Sequence, residues 1–528
     1  MSLEIVQIFI NDATKAWFKT AIRNKMKINN KFRSLDDVAK ICLNFKENNK
    51  KIVLCHGVFD LLHVGHIKHI EEAKKNGDVL IVSLTKDIFI KKGLNRPYFK
   101  LEERISSIAA LELVDFVIES PNKTSLEVIR KIKPHYYVKG QDYKKISLDK
   151  TMEIKNEIKM VESVKGKVIF TNSPMNSSSK LLFDNDMIFS SLQKKSLLKA
   201  SKDLKLNDLE DILKKINKLK VLVIGETIID KYIFCETVGK ASKEPMLVLR
   251  KNFSKIFLGG AASITQNIAK LTKNVDFLTE MGPENNYKIF INQKLKNIKK
   301  FIYRKKNTIE KTRYVDEISN SKIIGVYNVE EENINRNKIN TILKKKLKKY
   351  DLIVISDYGH GLIDKTTSKI ILKEAKKIFV NCQINSNNRG NHTILKYKGA
   401  RHLIINESEL RYEMRDNKTE TKNLVRNFSK QYKIDKVFVT QGTQGTLFYD
   451  KKSNKFLNVP AIANKIVDKV GTGDVMLAII SLFSSVTSNH NYGLLAGSMF
   501  AAKSIEKYGN EDVVNLSELS KFFGSFLK

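Results

Sequence analysis

Twice along the chain a short apolar run leads straight into a glycine: residues 51–57 (KIVLCHG) and residues 220–225 (KVLVIG). Such a run, too short for a helix and bounded by glycine, reads as a strand buried on both faces, and strands of that kind belong to parallel sheets covered by helices. Each run therefore predicts the first strand of an α/β domain. After the first run come a helix with apolar periodicity (66–75), a strand (79–84), a helix (101–111), a strand (116–118), a helix (125–131) and a strand (136–139). Parallel neighbours need a crossover, so this alternation is what a doubly wound sheet requires. After the second run, residues 352–356, 377–381, 402–406 and 436–440 are strand-like, with helical stretches between them. The expected fold class is α/β, with two doubly wound domains.

A chain of 528 residues is too long for one core. The expected organisation is a helical N-terminal extension (1–49), a first domain (50–182), a linker containing an amphipathic helix (183–217) and a second domain (218–528). Hydrophobic residues at 42% against only 7 Pro support packed cores. The formal charge of +37 suggests an anionic partner, yet only 14 of the 94 basic residues are Arg, the bidentate reader of phosphate and guanine. The charge reads as a solvated, Lys-biased surface that attracts anionic substrates, with no specific nucleic acid as partner. Cys42, Cys55, Cys235 and Cys382 are far apart and form no CxxC pair, which fits a reducing, cytoplasmic compartment. No basic segment followed by an apolar run opens the chain, and the longest apolar stretch, residues 475–483, is far short of a membrane span.

The first chemical motif is Gly57-Val58-Phe59-Asp60-Leu61-Leu62-His63-Val64-Gly65-His66, where a strand gives way to a helix. Two histidines beside free helix N–H groups and the positive dipole end suit a polyphosphate. A zinc site is the competing reading, but no third ligand stands at a customary spacing; two ordinary loop histidines are the plain alternative. HVGH resembles the HxGH signature of the nucleotidyltransferase family that includes cytidylyltransferases and heptose-phosphate adenylyltransferases. Its companions follow in order: Lys92-Gly93 and Arg96-Pro97, Glu103-Arg104, Val138-Lys139-Gly140-Gln141-Asp142-Tyr143, and Ser177-Ser178-Ser179. The resemblance implies a Rossmann-like fold and in-line attack of a substrate phosphate on the α-phosphate of a nucleoside triphosphate. His63 and His66 would hold phosphoryl oxygens, and Lys92 would assist the leaving group. Gly57, Phe59, Gly65, Arg96, Arg104, Ser177 and Ser178 would contact nucleotide or phosphate, and Asp142 the nucleotide or the substrate.

The second motif is Asp468-Lys469-Val470-Gly471-Thr472-Gly473-Asp474, ahead of an apolar helix. Glycines before a helix form a nest of N–H donors for an anion. A carboxylate there repels phosphate but can take a proton from an attacking hydroxyl; a helix-capping Asp would look the same. GTGD resembles the DxxGAGD signature of the ribokinase-like sugar kinases, and Gly225–Asp230 (GETIID), Gly259-Gly260-Ala261-Ala262, Asn406-Glu407-Ser408-Glu409 and Thr440-Gln441-Gly442 with Gly445 are similar to that family's earlier elements in order. Ser356-Asp357-Tyr358-Gly359-His360-Gly361 and Ser242-Lys243-Glu244-Pro245 resemble the heptose-phosphate kinases within it. The resemblance implies Asp474 as general base, N–H groups of Gly471, Thr472 and Gly473 on the transferred phosphoryl group, and Thr440, Gly442 and Gly445 at the nucleotide. It implies Asp230, Gly259 and Gly260 at the sugar, and Asn406 and Glu409 organising Mg²⁺ indirectly. Ser263 stands where the family has Asn, and Asn381-Cys382 where it has a DP pair, which leaves the sugar open.

Together the resemblances imply an enzyme of nucleotide-sugar synthesis: a nucleotidyltransferase followed by a sugar kinase, the reverse of the order in bifunctional heptose enzymes. Its partners would be sugar phosphates, a heptose 7-phosphate foremost, and nucleoside triphosphates. ATP is the expected substrate and Mg²⁺ the expected cofactor, and a homodimer is compatible with the resemblance. The alternatives are another sugar or polyol phosphate with CTP, or a non-catalytic regulatory or nucleic-acid-binding protein on degenerate enzyme folds.

Overall fold

The computed structural model describes residues 30–90, 96–140, 153–172, 189–329, 336–384, 388, 390, 392–463, 465–511 and 514–527. The chain divides into two compact units, Met1–Asn185 and Asp186–Lys528.

The first unit is a five-stranded sheet built from β1 (Ile52–Gly57), β2 (Val79–Thr85), β3 (Phe116–Ser120), β4 (Tyr136–Lys139) and β5 (Lys167–Phe170), in the order β3-β2-β1-β4-β5. Every pairing is parallel. Every residue of β2 is buried, as a central strand covered on both faces demands. One face packs Val53, Val82 and Val117 under α2 (Val64–Lys74) and α3 (Leu101–Ala109). On the other, Ile52, Leu54 and Ile81 meet α1 (Leu35–Glu47), α4 (Leu126–Ile132) and α5 (Glu153–Ser163). Helix α1 falls in the segment expected as an extension, yet it is capped by Ser34 and buries Val38 and Cys42 against this sheet. From residue 35 onward that segment belongs to the core. The strand order reverses between β1 and β4, and a doubly wound sheet binds its ligand at such a reversal.

The second unit opens with α6 (Ser191–Ser201) and α7 (Leu206–Lys218), so the stretch expected as a linker with one helix carries two. Both bury apolar residues, Leu197 and Ala200 from the first and Leu209, Ile212 and Ile216 from the second. The main sheet has nine strands in the order β10-β9-β6-β13-β14-β15-β16-β17-β18. They are β6 (Val221–Gly225), β9 (Val275–Met281), β10 (Lys299–Arg304), β13 (Leu352–Asp357), β14 (Ile378–Cys382), β15 (His402–Asn406), β16 (Lys436–Thr440), β17 (Thr446–Asp450) and β18 (Lys455–Val459). The sheet is parallel up to β16, and the last two strands run antiparallel. A separate four-stranded sheet, in the order β12-β11-β7-β8, joins β7 (Thr227–Lys240), β8 (Leu247–Gly259), β11 (Ile309–Asp316) and β12 (Lys322–Asn328). The GETIID stretch spans two sheets: β6 ends at Gly225, and Asp230 lies within β7 of the second sheet. Helix α8 (Gly260–Ile268) follows β8 directly, while α14 (Thr472–Val486) and α15 (Asn491–Ile505) are buried almost all round.

Candidate active sites

In the first unit the chain leaves β1 and turns through Phe59 and Leu61, both at positive φ, a conformation bulky residues adopt only where the surroundings hold them. His63 caps α2, its Nδ1 accepting the Gly65 N–H at 3.1 Å. The His66 ring stacks on it with centroids 4.0 Å apart, and the Phe59 ring lies tilted to His66 with centroids 5.4 Å apart. Gly57 leaves room for the Phe59 ring. Two imidazoles thus share one helix N-terminus beside the reversal of strand order, an arrangement that can hold phosphoryl oxygens. Lys139, at the end of β4, pairs with buried Glu157 at 3.0 Å. Burial and then the Lys139 charge push His56 down to about 3 and His69 down to about 4, so both are neutral near pH 7. Neither His56, His69, Lys139 nor Glu157 was singled out from the sequence as a site residue, because a lone residue on a strand or helix face carries no spacing signal.

Two residues expected at phosphate, Arg96 and Arg104, have protein partners here. Arg96 pairs with fully buried Asp60 at 2.6 Å, and Asp60 also accepts the N–H groups of Tyr98 and Phe99. The side chain of Arg104 has no exposed surface and donates to the Val58, Thr85 and Phe99 carbonyls and to Asp87. A guanidinium held by four acceptors staples the β1 turn, the end of β2 and α3. Lys92, Asp142, Ser177 and Ser178 lie outside the described residues.

In the second unit Asp474 stands in the first turn of α14, and its Oδ1 accepts the Tyr358 hydroxyl at 2.7 Å. Burial raises its pKa to about 7; the Tyr358 hydrogen bond opposes the rise, Asp230 adds to it and Lys311 opposes it. A carboxylate poised there can accept a proton at neutral pH. Tyr358 is set by Glu226, a fully buried carboxyl that accepts the Tyr358 and His360 N–H groups at 3.0 and 3.1 Å. Burial, then Asp357 and Glu280, raises Glu226 to about 8.

Asp230 faces Arg313 Nη1 at 2.6 Å and Asn510 Nδ2 at 3.2 Å. Gly259 leaves the space for this carboxylate: a Cβ there would sit 2.3 Å from Asp230 Oδ2. Gly260 starts α8 beside it. At Gly471, φ is +84° and a Cβ would fall 1.4 Å from Asn510 Oδ1, so only glycine lets Asn510 reach Asp230. Thr472 bonds back to the Lys469 carbonyl, while Gly473 opens on free space. Asp468, buried, accepts the Tyr232 hydroxyl at 2.5 Å, the Lys322 ammonium and the N–H groups of Val470 and Gly509, tying the turn before α14 to β7 and β12. Lys311, Arg313, Glu226 and Asn510 were not read from the sequence. Lys311 and Arg313 share β11, while Glu226 and Asn510 come from other stretches, and nothing in their local spacing joins them to the GTGD turn.

Asn406 and Glu409 form a reciprocal capping box at the start of α12 (Glu407–Met414). Burial raises Glu409 to about 7. Both also line a cavity of about 940 Å³ together with His392, Arg411 and Glu413. Thr440 ends β16, and a turn from Gly442 to Gly445 leads into β17. That turn is tied to α12 through Gln441 Nε2 on Glu407 at 3.0 Å.

The fold is that of two α/β units in sequence, and comparison with known proteins assigns a family to the second. The pfkB family carbohydrate kinase model matches residues 218–512, more than half of the sequence, and the chain belongs to that family. A cytidylyltransferase-like model matches residues 54–185. The bifunctional protein HldE of Sulfurimonas denitrificans is 43% identical over 137 residues, 26% of this chain and 28% of that protein. HldE of Campylobacter fetus subsp. fetus is 38% identical over 160 residues, 30% of this chain and 33% of that protein. The chain therefore spans about a third or less of the length of these curated relatives. The matched stretches lie in the nucleotidyltransferase region and do not order the relatives' two units, so the expected reversal of order is not retained. Among solved structures, ribokinase from Thermotoga maritima covers 58% of this chain and 99% of its own at TM-score 0.47 and 17% identity. Phosphofructokinase-2 from Escherichia coli covers the same shares at TM-score 0.48 and 14% identity. Among the described residues, no helix is long and apolar enough to cross a membrane.

Proposed function

We propose that the protein is a bifunctional enzyme of nucleotide-sugar synthesis working in the cytoplasm. The second unit phosphorylates a heptose 7-phosphate with ATP, and the first transfers a nucleotidyl group from ATP to a sugar 1-phosphate with release of pyrophosphate. The observation that carries the reading is Asp474: a carboxylate with a pKa near 7, at a glycine-opened helix N-terminus, facing a second carboxylate in Asp230. In the kinase, Asp474 takes the proton of the attacking hydroxyl, the N–H groups from Gly471 to Asp474 stabilise the transferred phosphoryl oxygens, and Asp230 orients the sugar. In the transferase, His63 and His66 hold phosphoryl oxygens of the transition state at the α2 N-terminus, without a covalent intermediate.

Asn406 and Glu409 offer hard oxygen donors at a roomy cavity, and each is already engaged in the capping box. That set suits a hydrated Mg²⁺ held through water rather than by direct ligation. When bound, the ion neutralises charge on the triphosphate.

The test is to incubate the full chain with a panel of sugar phosphates and ATP, CTP or GTP, and to read the products by phosphorus NMR. A new phosphomonoester and ADP from heptose 7-phosphate, together with a diphosphate linkage and pyrophosphate from heptose 1-phosphate, is the expected result. Consumption of CTP in place of ATP reassigns the donor of the first unit, and no product from any pair refutes the reading.

A further inference from the structure

We propose that Lys311 is a further catalytic residue of the kinase, its ammonium meeting the phosphoryl group as that group passes to the hydroxyl at Asp474. The inference rests on the kinase reading above. In the sheet register Lys311 on β11 is the direct partner of Asp230 on β7, which places the two side chains on one face, and Arg313 two residues along shares that face. The ammonium lies 5.4 Å from the ring centre of Tyr358, whose hydroxyl binds Asp474, and 5.5 Å from that of Tyr327. Lys311 is only 9% exposed.

The neighbouring cations are committed. Arg313 is paired with Asp230, Lys322 with Asp468 and Lys396 with Asp357. Among the described residues the Lys311 ammonium makes no hydrogen bond or ion pair; it lies over two tyrosine rings. Burying an ammonium without a hydrogen-bonded anion is costly, and here burial, and to a lesser degree the Arg313 charge, pull its pKa down while Asp230, Asp474 and Glu226 oppose the fall. That cost is offset when an anion arrives within reach, and the anion delivered to Asp474 is the transferring phosphoryl group. In the step, the sugar oxygen forms the new bond to phosphorus and its proton goes to Asp474. The bond from phosphorus to the bridging oxygen breaks, and ADP leaves with the electron pair. Lys311 transfers no proton; it neutralises charge on the phosphoryl oxygens.

Removing Lys311 also removes a cation that favours the ionised form of Asp474, whose other neighbours are Tyr358 and Asp230. The experiment measures kcat, KM for the sugar phosphate and the pH profile of kcat/KM for the full chain, Lys311→Met and Lys311→Arg, with melting temperatures alongside. For Lys311→Met, kcat is expected to fall about 10²- to 10³-fold, with KM little changed and the rise of the profile moved to higher pH. Lys311→Arg, which keeps the charge, should restore part of kcat. A Lys311→Met variant with parental kcat overturns the role, as does one with raised KM alone, which would make Lys311 an anchor for the acceptor's own phosphate. If Lys311→Met fails to fold, Lys311→Gln carries the same test, and failure of both to fold shows a structural residue and overturns the proposal. A parent that releases no ADP with any sugar phosphate refutes the kinase reading instead.

Discussion

At the first site a helix N-terminus is headed by two stacked imidazoles, and the charged residues of its turn, Asp60, Arg96 and Arg104, are locked into ion pairs and carbonyl contacts beneath it. At the second, the helix N-terminus carries a carboxylate whose protonation is set by burial, by Asp230 and by Lys311. One site uses charge to hold a loop and leaves unbranched geometry for the ligand; the other puts charge where the proton moves. The difference follows from the chemistry proposed for each. A phosphate nucleophile arrives already ionised and needs positioning, whereas a hydroxyl must lose a proton and needs a base.

The largest effect expected from this contrast is at Asp474. Asp474→Asn keeps size and helix-capping ability, so ATP binding should persist while sugar phosphorylation falls by about 10²- to 10⁴-fold. Kinase turnover at saturating ATP, in a variant whose melting temperature matches the parent, decides this; near-parental turnover removes the base from the mechanism. Next, His66→Ala should lower pyrophosphate release by about 10²- to 10³-fold and leave ADP release by the kinase near normal. Unchanged pyrophosphate release would end the role given to the paired imidazoles.

Arg104→Met tests whether charge at the first site is structural. It leaves three carbonyls and Asp87 without their donor, so the first unit should lose about 3 kcal/mol in urea unfolding. A raised KM for nucleotide at full stability would instead return Arg104 to the ligand. The smallest effect concerns pH. Asp474 and Glu409 are raised to about 7 and Glu226 to about 8, all above their unfolded values. Each contributes stability that is present below about pH 4 and lost as pH rises through the folded value. Thermal unfolding of the parent should therefore shift downward between about pH 4 and pH 8, and Asp474→Asn should flatten part of that slope. An unchanged slope would mean Asp474 is not held protonated.

Where apolar runs are unbroken, the fold is legible. Residues 136–139 form the strand their sequence predicts, as do residues 402–406 and 436–440. The four-stranded sheet is harder to read because the apolar runs of β7 and β8, such as residues 232–235 and 256–258, are short and interrupted by lysine, and β12 leaves Ile324, Val326 and Tyr327 exposed. Asp230 fits a sugar-ligand motif in the sequence, but its place on β7, in the second sheet, follows only from strand pairing. The Glu103-Arg104 motif carries no sign that four acceptors surround the Arg104 guanidinium, because those acceptors come from distant stretches of chain.

What the sequence determined by itself was two α/β units and the turns at HVGH and GTGD, since strand burial, crossover and glycine turns are local demands that local residues state. The tertiary structure decided which charges are spent and which stand ready. Arg96 is paired with a buried carboxylate and Arg104 with carbonyls and Asp87, whereas the Lys311 ammonium, brought opposite Asp230 by strand register, lies over tyrosine rings and makes no hydrogen bond or ion pair among the described residues. Hydrogen-bond saturation and desolvation depend on atoms far apart in the chain, and no spacing along it encodes them.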